Sequence, residues 1–257
     1  MNKYYTFFKD YTNNYLKNAL NESERIHLNR KREHSVRVVD NALEIGKSLN
    51  LPDEKMDILS IIALFHDLGR FPQFKKFHTY DDDISTNHAI LSVNVIEESN
   101  ILKNFNKSTQ TLIKNCIFIH NLKDIPSDIS EDEYLFASIL RDADKLDFYK
   151  NMLDIIPNLP QEEQKVFYAN RNDVPIISDN IYNKILNRET IFNKELQTKL
   201  DKQVRSLGFI TSDLNYKKSF EIILNNNYID RIYEILPKTE QVEKIYNFIK
   251  TYALKQI

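Results

Sequence analysis

Apolar residues recur at every third or fourth position over long stretches of the chain, which is the spacing of one face of an α-helix. From about Glu33 to Leu49 the residues His34, Val38, Ala42, Ile45 and Leu49 share a face. The next predicted helix runs from Asp53 to Leu68, after Pro52 and up to Gly69, with Leu59, Ile62, Ala63 and His66 along its apolar side. Proline before and glycine after are start and stop signals. A loop rich in Lys and Asp leads to Ser85, an expected N-cap for a helix carrying His88, Leu91, Val95 and Ile96. A fourth helix from about Ser108 groups Leu112, Ile113, Cys116 and His120, and a fifth, about Asp132 to Met152, stacks Ala137, Leu140, Asp144 and Phe148. Pro157, Pro160 and Pro175 then interrupt the pattern, and helical spacing returns near Glu189, from Asp213 and from Lys238. The expected fold is all-α. Residues 1–155 would form a helical bundle and residues 156–257 a helical extension or cap packed on it.

Composition supports this picture and narrows it. Only three glycines in 257 residues leave few places for tight hairpins. Apolar residues make up 42% and charged residues 28%, the range of ordinary globular proteins. A net charge of −2 supplies no general basic field for nucleic acid. No apolar run reaches the length of a membrane span and the first residues lack the apolar core of a secretory signal, so a cytoplasmic protein is expected. The lone Cys116, among Ile113, Ile117 and Phe118, reads as a buried thiol. Tyr4, Tyr5, Phe7 and Phe8 near the start read as packing residues.

The candidate chemistry lies on the apolar faces. His34, His66, His88, His120 and Asp144 each occupy the core stripe of a different predicted helix, and Asp67 follows His66 directly. A carboxylate buried without a partner costs several kcal/mol, so Asp144 in that position requires a cation, a proton or a strong hydrogen-bond network. Four imidazoles and two carboxylates suit one or two divalent ions: manganese, iron, zinc, nickel or magnesium. At a helix end, His66 and Asp67 can both converge on ions lying beside it.

In this order the residues resemble the HD superfamily of metal-dependent phosphohydrolases. The stretch Ala63-Leu64-Phe65-His66-Asp67-Leu68-Gly69-Arg70-Phe71 is similar to the family's central motif. Leu140-Arg141-Asp142-Ala143-Asp144-Lys145-Leu146-Asp147 is similar to its last metal-binding motif. The resemblance implies one ion held by His34, His66, Asp67 and Asp144, and a second held by Asp67 as a bridge together with His88 and His120. It implies a small phosphorylated substrate, a nucleotide or another metabolite, attacked by a metal-activated water.

Arg70, just past Gly69, is expected to project into the pocket mouth and clamp phosphate with two hydrogen bonds, with a surface arginine paired with the run Asp81, Asp82 and Asp83 as the competing reading. Lys145 is a second candidate for substrate contact and catalysis, with a solvated or structurally paired lysine as the competing reading. Lys75, Lys76 and His78 rank below Arg70. His27, His78 and Asp142 are expected to be exposed, Asp147 to stand behind the ligands, and Asp81, Asp82 and Asp83 to form a solvated loop. Two alternatives share the ligand pattern: a di-iron oxygenase and a metal-stabilised binding module.

Overall fold

The computed structural model describes residues 2–168 and 174–257. Among them there are helices and no β-strand, as the glycine-poor, helix-periodic sequence predicts. None of the helices is long and apolar enough to cross a membrane. The chain divides into two compact units, Met1–Ala143 and Asp144–Ile257, with the division inside one helix.

The first unit contains α1 (Asn2–Lys17), α2 (Glu22–Ser48), α3 (Asp53–Phe65), α4 (Arg70–Phe77), α5 (His88–Ser99), α6 (Lys107–Ile119) and the larger part of α7 (Glu131–Lys150). Its centre is the pairing of α2 with α3, with α6 on α3 and α4 and α6 on α5. The buried face of α2 carries Leu28, Val38, Val39, Ala42 and Ile45, and α3 buries every residue from Leu59 to Phe65. Such a face removes enough apolar surface from water to define where α2 and α3 meet.

Local chemistry explains the differences from the expected boundaries. α2 begins at Glu22, not Glu33, because the Asn21 side chain accepts the Glu24 N–H at 2.8 Å and caps the helix there. His27 therefore sits inside a helix, 1% exposed, with its ring 4.9 Å from that of Phe74, rather than on the surface. α5 is capped by Asn87, whose side chain accepts from Ala89 and Ile90, and not by Ser85. This makes His88 the first residue of the helix. The aromatic N-terminal segment is itself a helix and packs its rings over the α3–α4 corner. Tyr4 and Phe7 meet Phe65 edge-on, Tyr11 meets Phe71, and the Tyr11 hydroxyl donates to the Leu68 carbonyl at 3.3 Å.

Gly69 stands between α3 and α4 with φ −66°, an ordinary helical value, so its lack of a side chain is needed for space and not for backbone freedom. A Cβ there would lie 2.1 Å from the His88 carbonyl oxygen and 2.5 Å from the Ser92 nitrogen. The close approach is locked by Ser92, whose hydroxyl accepts the Gly69 N–H at 2.8 Å and lies 2.7 Å from the His66 carbonyl oxygen. The start of α5 is thereby drawn onto the corner that carries His66 and Asp67.

The second unit holds the end of α7, a π-helical turn Asn151–Ile155, α8 (Gln161–Tyr168), α9 (Asp179–Leu186), α10 (Lys199–Ser212), α11 (Lys217–Asn225), α12 (Tyr228–Ile235) and α13 (Glu240–Leu254). α10 is its spine, packed by α9, α12 and α13. Buried Asp201 accepts the N–H groups of Ser178, Gln197 and Thr198 and so fixes the start of α10. Asp213 ends α10 instead of opening the next helix.

Candidate metal centre

α3 ends at Phe65, so His66 and Asp67 leave the helix together, as their placement at a helix end predicts. The turn at 66–69 aims both inward; His66 is fully buried and Asp67 is 2% exposed. Around Asp67 stand imidazoles from four segments. Its Oδ2 lies 3.4 Å from His34 Nε2 on α2 and 3.6 Å from His66 Nε2. On the other side, Oδ1 lies 3.5 Å from His88 Nε2 at the head of α5. His120, which follows α6, brings its Nε2 to 3.1 Å from that of His88. Ligand atoms of His66, Asp67 and His120 fall within 4.8 Å of one another. The two carboxylate oxygens thus face different rings, Oδ2 those of His34 and His66 and Oδ1 that of His88.

The far side of three rings is anchored. His66 Nδ1 lies 2.7 Å from the Ala63 carbonyl, His120 Nδ1 meets the Ile117 carbonyl, and His88 Nδ1 lies 2.7 Å from Asp82 Oδ2. Carbonyl and carboxylate oxygens only accept, so Nδ1 carries the proton in each ring and Nε2 presents a lone pair to the centre. Two lone pairs facing each other at 3.1 Å repel unless a positive charge lies between them. Two imidazole nitrogens bound to one first-row ion at about 2.0–2.1 Å stand roughly 3 Å apart or slightly more. The donor set therefore fits a divalent ion.

Charge in the cluster is arranged for the same task. Burial raises the Asp67 carboxyl, but the Lys31 ammonium and the Arg70 guanidinium beside it outweigh this and hold the group well below the usual carboxylate range. Asp67 is an anion at neutral pH. Burial, and then the Arg70 guanidinium, push His88 down to about 4, so its ring is neutral at the same pH. A neutral imidazole beside an ionised carboxylate is the protonation state in which both coordinate.

Two groups of this cluster give no periodic signal that marks them as functional. Lys31, one turn before His34 on α2, places Nζ 2.7 Å from Asp67 Oδ2 and 5.4 Å from the Tyr80 ring. Asp82 is a partner of His88 and is not part of a merely solvated loop. Arg70 begins α4 with its guanidinium turned inward: Nε lies 3.3 Å from Asp67 Oδ1, and one terminal nitrogen donates to Gln73, to the Tyr80 carbonyl at 2.6 Å and to Asp82 at 3.0 Å.

The model of the HD domain family matches residues 32–149. This stretch is an HD domain. No curated protein and no solved structure matches the chain. HD domains belong to a superfamily of metal-dependent hydrolases, and the His66-Asp67 pair, with the rings around it, is where this HD domain could hold an ion. The matched segment closes on α7. There Asp142 is fully buried, against the expectation of an exposed side chain, and Asp147 is buried with its carboxylate bonded by Asn151. Lys145 has its Nζ 4.4 Å from the centre of the Phe209 ring. His78, which caps α4 in a left-handed conformation, is exposed as expected, as is Asp83, and Lys76 is exposed as well.

Proposed function

We propose that the chain hydrolyses a phosphate ester, with a nucleotide or another small phosphorylated metabolite as substrate. The observation that carries this reading is that Asp67 turns one oxygen to His34 and His66 and the other to His88, whose Nε2 lies 3.1 Å from that of His120. In this reading His34, His66, Asp67 and Asp144 hold one ion, and Asp67, His88 and His120 hold the other. Asp144 is included on the sequence pattern, in which it closes the series His34, His66-Asp67, His88, His120.

Manganese, iron, magnesium, nickel or zinc bound there supplies a water that deprotonates near neutral pH and positive charge for the phosphoryl oxygens. The chain's own residues do the rest. Ala63, Ile117 and Asp82 hold three rings in one tautomer, so that no ring has to reorient when an ion or substrate arrives. Lys31 and Arg70 add two fixed positive charges beside Asp67, and an anionic ester approaching the carboxylate meets them first. Arg70 is the proposed phosphate contact, and Lys145, next to Asp144 in the chain, is a second.

Stripping the protein with a chelator, reloading it with each metal in turn and offering nucleotides, monoesters and diesters tests the proposal. Phosphate or alcohol release that requires the metal supports it. Metal-dependent consumption of oxygen without ester cleavage would establish the oxygenase alternative, and a loaded protein inert to the whole panel would leave a binding module.

A further inference from the structure

The sequence places Asp82 in a run of three aspartates that looks like solvated loop, yet four side chains bond its carboxylate. Its Oδ2 lies 2.7 Å from His88 Nδ1 and accepts from Asn121 Nδ2 at 2.8 Å. Its Oδ1 accepts from Gln73 Nε2 at 2.7 Å and from the Arg70 guanidinium at 3.0 Å. These four donors come from the start of α5, the residue after His120, the buried face of α4 and the head of α4. Gln73 is itself fully buried and also donates to Ser85 and to the Thr86 carbonyl, so the loop is sewn down on both sides of Asp82.

We infer that Asp82 is a positioning residue of the centre, holding His88 in the tautomer that aims a lone pair at the ion while fixing Arg70 and the residue after His120 in the same network. The inference rests on the reading of His88 and His120 as ligands. Only a carboxylate satisfies it. Four donors converge on two oxygens, and an amide in place of the carboxylate would turn its NH2 toward one pair of them. If that NH2 faces His88 and Asn121, the imidazole must accept at Nδ1 and carry its proton at Nε2, pointed at the ion. If it faces Gln73 and Arg70, those donors lose their acceptor. Either way the arrangement around the centre changes although size and shape are kept.

The test is the protonation of the His88 ring in the metal-stripped full-length protein, read from nitrogen-15 imidazole spectra with the His88 signals assigned by their loss in His88→Ala. Wild type should show the proton on Nδ1. Asp82→Ala, which removes the acceptor, should move proton density to Nε2, and Asp82→Asn should either do the same or release Gln73 and Arg70, with backbone spectra showing a retained fold. The same variants should bind manganese or zinc at one of two positions about 10- to 100-fold less tightly, the usual cost of losing the group behind a ligand. A His88 proton on Nε2 in wild type, or an unchanged tautomer and affinity in both variants, overturns the inference. A wild type that binds no ion but shows the Asp82-dependent tautomer sinks the hydrolase proposal and leaves the positioning role standing. Two bound ions with an unmoved His88 in Asp82→Ala do the reverse.

Discussion

His88 and His120 point their Nε2 atoms at each other across 3.1 Å while their Nδ1 atoms are turned away, onto Asp82 and the Ile117 carbonyl. Neither ring can relieve the contact by switching tautomer without losing an anchor. If both bind one ion, their losses are not independent: removing either ring removes that ion. His88→Ala and His120→Ala are each expected to bind one equivalent of metal fewer than wild type, and the double variant no fewer than either single. Metal analysis on desalted protein reads this directly; additive losses would show that the two rings serve different ions.

Gly69→Ala is expected to damage the centre from outside it. The added methyl meets backbone atoms of α5 at 2.1 and 2.5 Å, which cannot swing aside as a flexible side chain would. The corner and α5 must separate, carrying His88 away from Asp67. Overpacking of this kind costs about 1–3 kcal/mol or more. Denaturant unfolding should show a lower midpoint, and the variant should retain less metal. Wild-type stability would contradict the packing account.

Arg70 carries both a structural and a proposed substrate role, and the two separate by experiment. Its side chain is 15% exposed and bonded to Asp67, Asp82, Gln73 and the Tyr80 carbonyl. Arg70→Ala should therefore lower stability by about 1.5–3 kcal/mol, the worth of a charge-assisted bond left unmade. A phosphate contact adds a fall of about 10- to 100-fold in kcat/KM on a phosphorylated substrate. If thermal unfolding shifts but the kinetics of the folded fraction do not, Arg70 is structural alone.

Much of this centre was legible in the sequence because helices turn spacing into geometry. His34, His66, His88 and His120 fall on apolar stripes, so the packing that buries those stripes brings the rings to one place. Asp82 was not legible, since an acidic loop shows no period and its value depends on where Gln73 and Asn121 arrive from elsewhere in the chain. Gly69 was read as a helix stop when its main constraint is the approach of α5, a contact with no local signature. His27 and Asp142 were misassigned to the surface for a related reason. His27 precedes the expected start of the first core helix, whereas α2 starts three turns earlier, and α7 buries Asp142 as fully as Ala143.

Cys116 is fully buried, and burial pushes its thiol well above the usual range. The thiolate, not the thiol, reacts with alkylating agents. The native protein is expected to resist iodoacetamide at neutral pH and to take up one equivalent only once unfolded in denaturant. Rapid labelling of the native chain would show that α6 opens more readily than its packing implies.

The central claim is that Asp67 is shared between two ion positions, and the most direct measurement is the number of ions bound by stripped protein on titration with manganese or zinc. Wild type should bind two per chain. Asp67→Ala, folded as judged by circular dichroism, should lose both positions, because one carboxylate serves each with a separate oxygen. Wild type binding no divalent ion, or Asp67→Ala binding two as tightly as wild type, would contradict the account.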